Sequence, residues 1–192
     1  MRRLADMAEK LVHTRELSMS TFAVDEGRML CVGRFNDVRT FPSIGFNRNR
    51  FDAGDLHDME IAVLVGLPDL VIQDIEVTIR AVPLRDCRLM EGSLDAVIGL
   101  SVSRGFAAEV KRRSGGARGC THLVHLLTTM GPAILQGYWS LQDMGREDSG
   151  DAPGKQKVSA ARFLANSCYA WRTDGEAFGA LGQLGKDALD GS

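Results

Sequence analysis

The chain holds four histidines (His13, His57, His122, His125) and four cysteines (Cys31, Cys87, Cys120, Cys168). Three polar groupings interrupt its apolar pattern: His57-Asp58, Arg85-Asp86-Cys87 and Gly119-Cys120-Thr121-His122. Thiolate, imidazole and carboxylate together form a donor set for zinc or iron. A thiol beside an imidazole is also a nucleophile with its base. Cys120 follows a glycine-rich turn (Gly115, Gly116, Gly119) and opens an apolar helical run. Free N–H groups and the positive helix end there favour a thiolate, an anion or a metal. His122 and His125, three residues apart, share a helical face, either as a metal pair or as one half-buried and one exposed histidine.

These residues need elements to position them. Residues 1–12 read as a frayed helical segment. Residues 13–24 alternate like a strand, Asp25-Glu26-Gly27 signals a turn, and 29–39 supply a second strand, so a hairpin is expected. Residues 41–55, with Pro42, Gly45, Asn47, Asn49 and Gly54, read either as a plain loop or as one wall of a site. Residues 60–65 form the next strand, with Met59, Ile61, Val63 and Val65 on one face. After Pro68-Asp69, residues Val71, Ile75, Val77 and Ile79 alternate with Asp74, Glu76, Thr78 and Arg80. A period of two with one polar side marks a sheet solvated on one face, and short turns make neighbouring strands antiparallel.

Beyond Pro83 the period lengthens. Residues 89–100 and 106–113 read as short helices. In residues 121–136, Leu123, Leu126, Leu127, Met130 and Ile134 build one helical face, with Pro132 able to kink it. Residues 141–157, rich in Gly, Asp and Ser, read as a mobile loop, residues 158–170 as a further helix, and the end as Gly-rich. The expected fold is α+β: an antiparallel sheet from the N-terminal half with helices on one face, as one domain over residues 13–192.

Composition narrows the function. The formal net charge is −2, with no basic stripe, which argues against nucleic acid as a partner. Short basic clusters such as Lys111, Arg112 and Arg113 suit a solvated helix end. No apolar run approaches membrane-spanning length, and residues 1–6 carry charge without an apolar signal core. A cytoplasmic protein is expected, its cysteines reduced. The absence of a Cys-x-x-Cys pair argues against a zinc finger.

Leu56-His57-Asp58-Met59, Ile72-Gln73-Asp74-Ile75-Glu76, Cys87 and Gly116-Ala117-Arg118-Gly119-Cys120-Thr121-His122-Leu123 resemble the bacterial domain of unknown function 2889. The resemblance runs from His13-Thr14-Arg15 to Asn166-Ser167-Cys168-Tyr169-Ala170, and Gly-Cys-Thr-His-Leu is its most specific part. It implies that Asp58, Cys87, Cys120, His122 and Cys168 occupy motif positions, and it transfers no activity. A remoter similarity is to iron–sulfur cluster assembly scaffolds. Leu56-His57-Asp58 stands where those scaffolds carry Cys-Gly-Asp, with Cys87 and Cys120 at the two later cysteine positions.

The expectation is therefore a metal- or thiol-based site on which Asp58, Cys87 and Cys120 converge. His57 or His122 would be a fourth ligand or an acid–base group. Cys168 is either a further soft ligand or a packing residue beside Phe163, Leu164 and Trp171, and Cys31 is a bystander. Zinc or iron is the implied metal. The functions that fit are a small catabolic enzyme, a metal or cluster carrier, and a small-molecule binding module built on residues 41–55.

Overall fold

The computed structural model describes residues 3–45, 48–149 and 165–180, with side chains through 144 and from 165. The chain divides into two compact units, Met1–Ser140 and Leu141–Ser192.

The first unit is built on four long strands: β1 (His13–Asp25), β2 (Arg28–Arg39), β5 (Gly54–Gly66) and β6 (Val71–Ala81). They form one sheet in the order β1-β2-β5-β6, every pair antiparallel. Asp25 closes the first turn. It accepts from the Gly27 amide at 3.0 Å and from the Arg28 guanidinium, which sets the hairpin register. The segment read as a loop carries a two-residue hairpin of its own, β3 (Ser43–Ile44) with β4 (Arg50–Phe51). Leu67–Pro68, in the turn after β5, is cis.

One face of the sheet is dry. Met29, Cys31 and Phe35 on β2, Met59, Ile61, Val63 and Val65 on β5, and Ile72 and Ile79 on β6 are buried. Each such side chain stabilises the fold by roughly 1.5–3 kcal/mol when taken from water. Covering this face is α2 (Thr121–Ser149), whose Leu123, Leu126, Leu127, Met130 and Ile134 are fully buried. The helix passes close. A Cβ on Gly33 would lie 2.6 Å from the Met130 sulfur, and one on Gly137 would collide with Thr21. Small residues at these two points let helix and sheet approach. The row His122, Leu126, Met130, spaced by four, faces the strands, so α2 begins over the end of the sheet where β1 and β5 start.

A 3₁₀-type stretch, Arg85–Val97, and α1 (Phe106–Ser114) complete this side. Leu94, Val97, Phe106 and Val110 are buried there, and Phe106 packs beneath Gly131 of α2. The fold is α+β, with helices on an N-terminal antiparallel sheet. The N-terminal segment holds a single helical turn, Leu4–Met7.

Two expectations need adjustment. α2 continues through Pro132 to Ser149, so residues 141–149, read as loop, are helical. Residues 150–157 of that expected loop lie outside the described residues. Of the helix expected over 158–170, residues 158–164 are also outside them, and 165–170 form turns. In that second unit the Asn166 amide donates to the Trp171 carbonyl at 2.9 Å, and the Arg172 guanidinium lies 4.3 Å from the Tyr169 ring centroid.

Candidate metal centre

The site starts from a phase argument. Along β2 the inward positions are Met29, Cys31, Gly33, Phe35 and then Asp37. The same face of β5 reads His57, Met59, Ile61, Val63, Val65. Register pairs Asp37 with His57 on one side and with Arg15 of β1 on the other. An acid and a histidine thus occupy core-facing positions at the end of the sheet, where α2 sets His122 above them.

Asp37 is 1% exposed. Its carboxylate accepts a fork from Arg15, Nε at 2.7 Å and Nη2 at 2.9 Å. His13 Nε2 approaches Oδ1 at 3.2 Å and His57 Nδ1 approaches Oδ2 at 3.1 Å. Four donors match the roughly four lone-pair sites of a carboxylate. Burial pushes the Asp37 carboxyl up. The Arg15 bonds and charge, with His57, outweigh it and hold the group below the usual carboxylate range. Because an ionised carboxylate only accepts, His57 Nδ1 carries the proton, and Nε2 keeps its lone pair for a metal or a proton.

The His122 ring lies 3.9 Å from that of His57, centroid to centroid, at 38°. Burial holds His57 below the ordinary histidine value, partly offset by Asp37. Burial, then the His57 charge, takes His122 down to about 4. Both imidazoles are therefore neutral at pH 7, the form that binds metals. Ligand atoms from Asp37, His57 and His122 lie within 4.8 Å of one another. Phe35, fully buried, is the platform beneath: its ring is 5.2 Å from that of His122, 6.3 Å from those of His57 and His125, and 4.7 Å from the Arg15 guanidinium. All four histidines of the chain thus gather around Phe35 and Asp37.

Of the residues singled out from sequence, His57 and His122 come together here. Cys120 stands next to them, its sulfur 3.8 Å from His122 Nδ1. Asp58 follows His57 in the chain and so points to the opposite face, where Arg34 holds it in a fork at 2.9 and 2.8 Å and Arg80 lies at 3.7 Å. Cys87 is half-buried in the first turn of the 3₁₀ stretch. Cys168 belongs to the second unit, exposed among turns. Cys31 is wholly buried, and burial pushes its thiol up to about 11. Asp37, His13 and Arg15 are not among the site residues expected from the sequence, although an aspartate in the inward phase of an apolar strand is a usable signal.

Fold and site together define an α+β protein with a buried Asp/His/His cluster able to take a metal ion, and no helix among the described residues is long and apolar enough to cross a membrane. Residues 13–136 match the family described as protein of unknown function DUF2889, and the chain belongs to that family. No curated protein and no solved structure matches it.

Proposed function

We propose that the protein holds a divalent transition metal between His57 and His122. Asp37 fixes the His57 tautomer, and the bound ion acts on a small molecule. The observation that carries this reading is the close placement of Asp37, His57 and His122 beneath the first turn of α2. Since the Asp37 oxygens are filled by Arg15, His13 and His57, its natural role is behind His57, the carboxylate–histidine–metal arrangement that orients a ligand and raises its basicity. Cys120, beside His122, supplies a soft third donor and turns the preference toward zinc or iron. Fewer than four protein donors leave a position open, which is the catalytic rather than the structural pattern. An enzyme with the ion as Lewis acid fits better than a metal or cluster carrier, which needs a closed or transferable set.

The test is metal analysis of protein purified without chelator, followed by cobalt substitution. One equivalent of zinc or iron is expected. The cobalt form should show d–d bands of a low-symmetry site and a sulfur charge-transfer band that Cys120→Ser removes. A metal-free protein that takes up no cobalt contradicts the proposal.

The contact between Cys120 and His122 supports a second reading, a metal-free thiol nucleophile with His122 as its base. Iodoacetamide separates the two. A thiol enzyme alkylates at Cys120 whether or not zinc is added, whereas a metal ligand is protected by zinc.

A further inference from the structure

On β2, Arg39 is two residues beyond Asp37 and on the same face, opposite His13 of β1 and Gly54 of β5. It is the next inward position after the cluster. Arg15, one strand away, is committed to Asp37, and Arg34, on the other face, is committed to Asp58. The Arg39 guanidinium has no hydrogen-bond or ion-pair partner among the described residues and is only partly exposed.

Arg39 also lines a cleft of about 220 Å³ with Phe51, Leu56, Val82 and Pro83. Asp52, Ala53, Gly54 and Asp55 complete its lining. Two carboxylates share the cleft. Asp55 is bonded by Asn36 at 3.0 Å, and Asp52 is exposed. Their negative charge opposes a dianion such as phosphate more than a monoanion. A half-buried guanidinium with a free fork recognises a planar carboxylate in two parallel bonds. Phe51, Leu56, Val82 and Pro83 offer apolar contact to the body that carries it.

We infer that the cleft between β2 and β4 binds a small organic monocarboxylate, with Arg39 as its anchor and Phe51 as its apolar wall. The inference stands apart from the metal reading, since none of the residues that line the cleft belongs to the Asp37, His57 and His122 cluster. Arg39 is then a ligand-binding residue. No covalent step is assigned to it.

The test uses butanoate as the probe and inorganic phosphate as its counter-probe, titrated by calorimetry into metal-free and zinc-loaded full-length protein. Zinc affinity is measured separately on the same samples. Saturable butanoate binding is expected in both forms, tighter than phosphate. Arg39→Gln should weaken it about tenfold or more, Arg39→Lys should restore part of it, and Phe51→Ala should weaken butanoate but not acetate. Zinc affinity and melting temperature should stay unchanged in all three variants. Butanoate affinity unaltered by Arg39→Gln, absent butanoate binding, or a preference for phosphate overturns the inference. Zinc binding without butanoate binding removes the cleft assignment and leaves the metal site. Butanoate binding without zinc binding keeps the cleft and removes the metal reading.

Discussion

His57 and Asp58 are chain neighbours placed in opposite chemistry by one step of strand pleat. His57 turns inward to Asp37, which is buried with two histidines and one arginine on it. Asp58 turns outward to Arg34 and Arg80, whose side chains are 50% and 43% exposed. Both aspartates are almost fully covered, at 1% and 5% exposure, so burial alone does not separate them. What separates them is the partner. Arginine is always protonated and leaves no lone pair for a metal. Neutral histidine keeps one nitrogen free after satisfying the carboxylate. The inner face can therefore do chemistry, and the outer face is an ion-pair network that extends through Arg80 to Glu60 at 3.1 Å.

The contrast can be broken residue by residue. The largest effect is expected from His122→Ala or His57→Ala, each lowering zinc affinity by more than about 100-fold, since each removes a direct nitrogen donor. Next comes Asp37→Asn. It keeps the shape but removes the charge that fixes His57 and holds the Arg15 fork, so zinc affinity should fall roughly 10- to 100-fold and the metal-free protein should lose about 2–3 kcal/mol by urea denaturation. Asp58→Asn is the matched control. Its arginines remain solvated, so the stability change should stay under about 1 kcal/mol, with zinc binding as in wild type.

A smaller effect sharpens the electrostatics. His122 has its value lowered from 6.5 to about 4. In the unfolded chain it protonates near its ordinary value, while in the fold it stays neutral further down. Its contribution to stability is therefore complete above about pH 6.5 and lost as pH falls toward 4. Metal-free His122→Phe should show a flatter loss of stability across that window than wild type, in melting temperatures taken from pH 7 to 4. An identical slope in both proteins removes the desolvated-imidazole account.

How much of this was legible in the sequence follows from the pleat as well. The period of two over Val71–Ile79 and the row of leucines after Thr121 fix the sheet, the helix and which sides meet. His57 shares the phase of Met59, Ile61, Val63 and Val65, and that phase alone puts Asp58 on the other face. The expectation that Asp58, Cys87 and Cys120 converge rests instead on which strand and helix ends lie together and on motif positions and scaffold similarity, none of which carries information about phase. Asp37 was hidden for a different reason. It lies near the end of a strand whose alternation reads as ordinary core, and its partners Arg15 and His57 stand 22 and 20 residues away. Only the strand register, set by the Asp25 turn and an irregularity beside Val38, brings them level. The helical reading stopped early because the Gly- and Asp-rich composition after Leu141 hides a helix that persists to Ser149.

The most direct test of the central claim is a calorimetric zinc titration of metal-free protein in three forms: wild type, His122→Ala and Asp58→Ala. One tight site is expected in wild type, the same site in Asp58→Ala, and its loss in His122→Ala. Zinc bound equally well by His122→Ala and lost in Asp58→Ala would contradict it, and would move the site to the opposite face of the sheet.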